Sequence, residues 1–190
     1  MIKIDLYIRV PEEYLKELFS EQSLVDSFYI ENADKCFIHI DDQKKIQSIL
    51  EPNAYSIHPA LIISYNEKQI SDFRFVDLEL LTQFIAICQD YYLSDNKEAE
   101  DTTSRISIQL KKVSSNTISL KAVRSRLYYG DTDEIIIDTE LPEQQFIEAL
   151  FVACKEFYGK LIEYGISINR HEKTLLRLEP YEKSFQEAYK

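Results

Sequence analysis

Three carboxylates that lie close together in the sequence are the side chains best suited to chemistry. Asp131, Asp133 and Glu134 directly follow Gly130, and clustered carboxylate oxygens are ligands that calcium and magnesium prefer. The segment is too short for an EF-hand loop, and acids in a turn are more often solvated than metal-bound. We therefore expect no metal site here. A divalent ion on Asp131 and Asp133 that activates water for hydrolysis remains an alternative.

The three histidines lie in contexts that do not predict catalysis. His39 falls in a predicted strand, His58 directly precedes a proline, and His171 lies in a polar stretch. A general base needs a positioned partner, and the sequence places none of these histidines near a nucleophile. We expect no catalytic residue, and hence a protein that is not an enzyme.

Glycines and cysteines also fail to form the usual cofactor motifs. No two of the three glycines have the spacing of a phosphate-binding loop, a dinucleotide fingerprint or a nucleophile elbow. Cys36, Cys88 and Cys154 are far apart and flanked by apolar residues, which is typical of reduced thiols in a core. We expect no cofactor and no zinc site.

Composition and charge restrict the class of protein and of partner. The chain has 190 residues, 45% of them hydrophobic, and a net charge of -11, which predicts one globular domain that repels nucleic acid and anionic membranes. No apolar run reaches the ~20 residues of a transmembrane helix, and residues 1–5 do not resemble a signal peptide. We expect a cytoplasmic protein with a basic partner, although acidity that serves solubility alone is an equal alternative.

Charge is distributed in two adjacent blocks of opposite sign. Residues 105–130 contain six basic residues and no acid, whereas residues 131–148 contain seven acids and no base. The two blocks could neutralise each other across neighbouring strands. The alternative is that the acids form a recognition surface, because charge complementarity speeds association and aromatic side chains supply contact area.

Candidate partner-binding residues follow from this second interpretation. They are the acids of the polar loop 94–104, the paired tyrosines, and the acidic turn: Asp95, Glu98, Glu100, Asp101, Tyr91, Tyr92, Tyr128, Tyr129, Asp131, Asp133 and Glu134. Of paired tyrosines, one is usually buried and one exposed, so we expect about half of these four to contact a partner.

Hydrophobic periodicity places these residues on strands and helices. In the first half, alternation and turn residues predict strands at 2–10, 28–30, 36–40, 61–65 and 69–75, a helix opened by Pro11, another capped by Asp41, and a long helix at 77–93. In the second half they predict a loop at 94–104, a hairpin at 106–110 and 118–122, a strand at 135–137 after a turn at Gly130-Asp131, a long helix from Pro142 to Tyr164 capped by Gly165, a strand at 174–178 and a short terminal helix.

The predicted fold class is α+β, with one or more antiparallel sheets covered by two long amphipathic helices. We expect a single domain over residues 1–190, with a possible internal boundary in the acidic loop 94–104. Strand order and oligomeric state remain open.

Part of the chain resembles a known class of protein. A Ser/Thr-rich antiparallel meander is followed by Asp138-Thr139-Glu140-Leu141-Pro142 and then by Phe146-Ile147-Glu148-Ala149-Leu150. This pattern, over roughly residues 105–164, resembles bacterial toxin-immunity proteins of contact-dependent growth inhibition and other polymorphic toxin systems. The resemblance implies a small, cytoplasmic, acidic protein that neutralises a cognate toxin by occluding it, and it assigns no role to any single residue.

The leading hypothesis is therefore an inhibitor that binds a basic toxin domain, with a nuclease as the first candidate because its substrate cleft is basic. One alternative is the metal-dependent hydrolase above. Another is an adaptor or self-assembling subunit that pairs through a sheet edge, with the first strand or the basic hairpin as the edge.

Overall fold

The computed structural model describes residues 1–19, 26–102, 104–126 and 132–189. Within these ranges the strands are β1 (Ile2–Arg9), β2 (Phe37–His39), β3 (Pro59–Tyr65), β4 (Lys68–Gln69), β5 (Glu98–Asp101), β6 (Ile106–Ser114), β7 (Thr117–Arg124) and β8 (Glu134–Pro142). The helices are α1 (Glu12–Leu18), α2 (Asp26–Glu31), α3 (Ala33–Cys36), α4 (Gln43–Ile49), α5 (Leu80–Leu93), α6 (Glu143–Glu163) and α7 (Ile168–Ala188).

The first sheet has the strand order β2-β1-β3-β4 and is antiparallel throughout. Alternate side chains of β1, including Leu6 and Ile8, are buried as the period of two predicts. Leu6 lies opposite Leu61 of β3, and α6 packs against β1. On the other side of this sheet, Phe73 stacks on Phe37 at 4.4 Å between ring centroids, so apolar contacts hold both faces.

The second sheet is an antiparallel meander in the order β5-β6-β7-β8. Its inner face carries Ile108, Leu110, Leu120 and Ile137, all of them buried. The tight connection between β6 and β7, after Ser114, confirms the predicted hairpin. Because side chains alternate between the faces of a strand, the polar residues between these apolar ones lie on the opposite side of the sheet.

The α+β class with antiparallel sheets is confirmed. Of the two long helices predicted to cover the sheets, α5 contacts β3, β5 and β6, while α6 contacts β1, β8 and α5. Helix α6 begins after Pro142, as proline's fixed φ and missing N–H allow. Gly165 follows its end at φ +79°, the left-handed conformation that glycine adopts without strain.

Two predicted strands are helices. Residues 28–30 lie in α2, where Phe28 packs edge-on against Phe19 at 4.7 Å between centroids. Residues 174–178 lie in α7, a third long helix that runs through Pro180 and packs against α6. Short apolar runs do not distinguish a strand from a helix, so tertiary packing decided both cases.

The predicted acidic loop 94–104 contains an edge strand, which is a second correction. β5 pairs with β6 in the register Glu98↔Lys111 and buries Ala99 on the inner face. Backbone hydrogen bonds form whatever the side chains are, and an edge strand of a sheet tolerates charged residues well. The prediction failed because polar composition alone does not identify a loop.

The prediction that the first strand or the basic hairpin lies at the edge of a sheet is also wrong. β1 lies between β2 and β3, and the hairpin strands β6 and β7 lie between β5 and β8. The edges in the described part of the chain are β2, β4, β5 and β8. A smaller correction concerns α4, whose N-cap is Asp42 and not Asp41: the Asp42 carboxylate accepts a hydrogen bond from the Lys45 amide at 3.2 Å.

Hydrophobicity and length show no transmembrane candidate among the described helices, since none combines the length and the apolar character that a bilayer requires.

Candidate partner-binding face

The outer face of the second sheet carries polar side chains in two cross-strand rows. Residues directly opposite each other in antiparallel strands point to the same face. The pairing places four residues in each row, and we call these eight the open face: Glu98, Lys111, Ser119 and Glu140 in one row, and Glu100, Gln109, Lys121 and Asp138 in the other.

Charge on the open face follows the strand order. The two lysines lie on the central strands β6 and β7, and the four carboxylates lie on the edge strands β5 and β8. Because neighbouring strands are ~4.8 Å apart, the two acidic margins are separated by roughly 14 Å. The face is therefore negative overall, with a positive centre.

Three of the four carboxylates have no partner within the described ranges. Lys111 forms an ion pair with Glu98 at 3.2 Å, with both side chains partly exposed, whereas Glu100, Asp138 and Glu140 form neither an ion pair nor a side-chain hydrogen bond there. All three are exposed. A surface carboxylate of this kind can meet a cation without first losing an internal contact.

The two tyrosines at the end of α5 do not belong to this face. Tyr91 is fully buried and its hydroxyl donates to Glu143 Oε1 at 2.9 Å. Burial, together with this hydrogen bond, raises the pKa of Tyr91 above its usual range. Tyr92 is half-buried, and its hydroxyl lies 2.9 Å from that of Tyr189. The prediction that Tyr91 contacts a partner is therefore corrected, because its ring fills the core.

A buried carboxylate explains the position of Tyr91. Glu143, at the start of α6, is only 3% exposed and pairs with the ammonium group of Lys112 as well as with Tyr91. An ionised side chain is buried at acceptable cost only when it is paired and hydrogen-bonded. Lys112 and Tyr91 therefore have a structural role, which the sequence analysis did not anticipate.

The other predicted acids lie at different places around the second sheet. Asp95 is exposed in the turn after α5. Asp101 is opposite the buried Ile108 and so belongs to the inner face at the sheet edge. Asp133 is exposed and accepts a hydrogen bond from the Arg126 amide at 2.8 Å. These three residues are not part of the open face.

Glu134 forms ion pairs with two arginines of the same chain. Its carboxylate pairs with Arg74, from the segment that follows β4, and lies 3.6 Å from the guanidinium of Arg124. Together with the pair between Lys112 and Glu143, the contact between Glu134 and Arg124 shows that the acidic and basic blocks neutralise each other in part, as the alternative interpretation expects. The remaining candidates, Tyr128, Tyr129 and Asp131, and the turn at Gly130-Asp131, lie outside the described residues.

Residues that bind metals or react as thiols are the remaining chemical candidates. In the parts of the chain that the structure describes, no three His, Cys, Asp or Glu side chains form a group suited to a metal ion. The three cysteines are free and buried, as predicted, and burial raises the pKa of the Cys88 thiol to about 12.

No protein-family model matches the chain, and no curated protein or solved structure matches it either.

Sequence reasoning named Glu98 and Glu100 and missed the other six members of the open face. The charged ones, Lys111, Lys121, Asp138 and Glu140, were not named as partner-binding candidates, and neither were Gln109 and Ser119. The alternation of polar and apolar residues in β6 and β7 does place Lys111 and Lys121 on the solvent side. The sequence does not contain the register of the strands, which places Lys111 beside Glu98 and Lys121 beside Asp138.

Proposed function

We propose that this protein binds a basic partner protein with the open face of its second sheet, and that the partner is a bacterial toxin domain which it neutralises by occlusion. The observation that carries the proposal is the arrangement of unpaired, exposed carboxylates on both margins of one sheet face. The resemblance of residues 105–164 to toxin-immunity proteins supports the same function.

The open face favours a partner whose basic residues surround an acidic or polar centre. Carboxylates of Glu98 and Glu100 on one margin, and of Asp138 and Glu140 on the other, attract two separate groups of cations. A nuclease meets this requirement because a substrate cleft that binds phosphates is lined with basic side chains. Occupation of that cleft would exclude the substrate both sterically and electrostatically.

The direct test is protection of cells. The full chain is expressed together with the toxin domain encoded beside its gene, if that neighbour is a large secreted protein with a variable C-terminal domain. Co-expression is expected to restore growth and to give a complex that survives purification. Survival of cells that express the same domain without this protein would contradict the proposal.

A matched pair of variants tests the surface. In the open-face variant the four carboxylates are neutralised: Glu98→Gln, Glu100→Gln, Asp138→Asn and Glu140→Gln. The control loses the same charge on exposed residues of α6 and α7: Glu163→Gln, Glu172→Gln, Glu179→Gln and Glu187→Gln. The open-face variant should bind the toxin at least ~100-fold more weakly, mainly through slower association at low salt. Equal affinity of both variants would exclude the open face.

Pairing through a sheet edge is a second candidate, supported by β8. This edge strand is nine residues long, and Ile135 on it is 55% exposed. An unpaired strand edge can accept a strand from another chain. Light scattering distinguishes the two cases: a concentration-dependent dimer that is lost on Ile135→Lys substitution supports self-pairing, and a strict monomer contradicts it.

A further inference from the structure

A groove lies between the first half of β1 and one side of α6. It has a volume of about 440 Å³. One wall is formed by five consecutive residues of β1, 2–6, and the other by Ala149, Val152, Ala153 and Glu156 of α6. Consecutive residues of a strand point to opposite faces of the sheet. A cavity that all five of them line therefore runs along the edge of the strand and not over one face.

This part of β1 has an open edge because β2 is much shorter than β1. β2 pairs with β1 at residues 7–9 only. One more backbone bond runs from the Ile40 amide to the Leu6 carbonyl at 2.9 Å, and beyond Ile40 the chain turns into α4. On the β2 side, no strand within the described ranges pairs with residues 2–5.

Backbone groups of Ile2 and Ile4 point into the groove. In an antiparallel sheet, the N–H and C=O of one residue point to one neighbouring strand, and those of the next residue point to the other. The Leu6 carbonyl accepts its bond on the β2 side, whereas the Arg9 amide donates on the β3 side, to the His58 carbonyl at 3.0 Å. Even-numbered residues of β1 therefore face the β2 side. The N–H and C=O groups of Ile2 and Ile4 have no hydrogen-bond partner in the part of the chain that the structure describes, and such an edge can accept another strand.

The helix wall of the groove is apolar and has room for side chains. Ala149 and Ala153 are one helical turn apart, and their small side chains leave the space that the groove occupies. Val152, on the same side of α6, is aliphatic and yet 62% exposed. A strand in the groove would place alternate side chains against this wall. Sites that bind peptides by strand addition combine these two parts, a backbone edge and pockets for alternate side chains.

Charge at the groove favours a basic residue in its occupant. The lining residues include one cation, Lys3, which already pairs with Asp5 at 2.8 Å. Of the other two acids, Asp41 lies 3.5 Å from Lys160, whereas Glu156 is exposed and forms no ion pair with any described residue. Glu156 can therefore meet a cation without losing an internal contact.

A second copy of the chain does not fit this edge. If two β1 strands pair antiparallel with Ile4 opposite Ile4, then Ile2 lies opposite Leu6, where Ile40 is already bound. A register with Ile2 opposite Ile4 places Lys3 directly opposite Lys3, and like charges directly opposite each other are destabilising. The edge therefore favours a segment of a different protein.

We infer that the groove binds an extended segment of another protein, which joins the first sheet as a strand antiparallel to β1 and in line with β2. The backbone of the segment bonds to the N–H and C=O groups of Ile2 and Ile4. One of its aliphatic side chains packs on Val152, and a basic residue meets Glu156. The inference does not depend on the proposed toxin binding, since the groove and the open face share no residue.

A displayed library of random heptapeptides tests the inference on the full chain. Selection runs in parallel on the wild-type protein and on a Val152→Glu variant, which places a charge in the apolar wall. We expect the wild type to enrich sequences in which aliphatic and polar residues alternate and a lysine or arginine is present. The synthetic peptides should bind with a Kd of about 10–100 μM. No enrichment on the wild type over the variant would overturn the inference.

A pair of variants at one position tests the backbone contact. Ile4→Pro and Ile4→Ala both lose the isoleucine side chain, but only proline removes the N–H that faces the groove. Neither change removes a hydrogen bond to β3, because the backbone groups of Ile4 point away from that strand. A selected peptide should bind the proline variant at least ~10-fold more weakly than the alanine variant. Equal affinity would show that the peptide does not add as a strand.

Methylated peptides give the same test without changing the protein. N-methylation of alternate residues removes the peptide donors that face β1 in one phase and leaves them in place in the other. One phase should abolish binding, and the other should retain it. Equal loss or equal retention in both phases would contradict strand addition.

Variants of the helix locate the site. Val152→Glu should weaken binding of a selected peptide at least ~10-fold, whereas Leu176→Glu on α7 should leave it unchanged; the two positions are matched at 62% and 63% exposure. Glu156→Gln should weaken binding about threefold at low salt. The open-face variant should bind the peptide as the wild type does, which separates this site from the proposed toxin surface. An equal loss in Val152→Glu and Leu176→Glu would refute the groove.

Light scattering of the free protein tests the other occupant. We expect that any dimer it detects persists in the Ile4→Pro variant. A dimer that Ile4→Pro abolishes and Ile4→Ala retains would show that this edge pairs with a second copy, and it would overturn the choice of a different protein.

Discussion

In the first sheet, β3 buries every side chain from Pro59 to Ile63, whereas in the second sheet β7 buries only alternate side chains. The first sheet therefore has apolar contacts on both faces, and the second has them on one. Side chains on a sheet face that no apolar layer covers do not have to pack in a core, so they can contact a partner. This difference is the physical basis for placing partner binding on the second sheet.

The largest predicted effect tests the difference in burial. Ile62 of β3 points to the sheet face away from Leu61, and Val123 of β7 points to the sheet face away from Ala122. Ile62 is nevertheless buried, at 8% exposure, whereas Val123 is only partly buried. Ile62→Ala should lower the free energy of unfolding by about 3 to 4 kcal/mol, and Val123→Ala by about 1 kcal/mol or less. Denaturant unfolding measures both, and equal losses would remove the distinction between the sheets.

A second prediction compares the two faces of one strand. Lys112 points inward and pairs with the buried Glu143, whereas Lys111 points outward, is 58% exposed in its side chain, and pairs with Glu98. Lys112→Met should cost about 3 kcal/mol because it leaves a buried carboxylate without its cation. Lys111→Met should change stability by less than about 0.5 kcal/mol. A small effect at Lys112 would show that Glu143 is not stabilised by this pair.

A third prediction concerns the dependence of stability on pH. The histidines that cause it lie outside the second sheet, which contains no histidine. Burial, and secondarily the charge of Arg170, lowers the pKa of His171 from 6.5 to about 4. As the pH falls, this histidine takes up a proton in the unfolded chain near pH 6.5 but in the folded protein only near pH 4. The contribution of His171 to the free energy of unfolding should therefore be fully present above pH 6.5 and fall by about 2 to 3 kcal/mol as the pH drops to 4.

His171→Phe should remove the contribution of this residue, and His39→Phe, at a half-exposed position in β2, should not change the pH dependence. Burial also lowers the pKa of His58 to about 4, so a pH dependence of similar size and the same sign should persist in the His171 variant. Unfolding curves at pH 7.5, 6, 5 and 4.5 measure the effect. Stability that rises toward acid would contradict the assigned burial.

The smallest predicted effect on folding belongs to the open face. Neutralising Glu100 and Asp138 together, as Glu100→Gln with Asp138→Asn, should shift the free energy of unfolding by no more than about 0.5 kcal/mol, because neither forms an ion pair among the described residues. Thermal unfolding at low and high salt checks this. A large destabilisation would mean that these carboxylates hold the fold and are not reserved for a partner.

Part of the open face was predictable and part was not. Glu98 and Glu100 were named as partner-binding candidates, although in a loop, and the structure places them on the margin of the face. Tyr91, named with them, is buried. Amino-acid type alone could not separate these cases, because a tyrosine beside the end of a helix fits either a core or a surface.

Hydrophobic periodicity in the sequence by itself determined the α+β class, the hairpin of β6 and β7, and the helices α5 and α6, because local alternation encodes which face of each element is apolar. Tertiary structure alone decided that 98–101 is a strand, that 174–178 is helical, and that Tyr91 is buried against Glu143. Register, strand order and cavities arise from contacts between residues distant in the chain, and those contacts leave no periodic signal in the sequence.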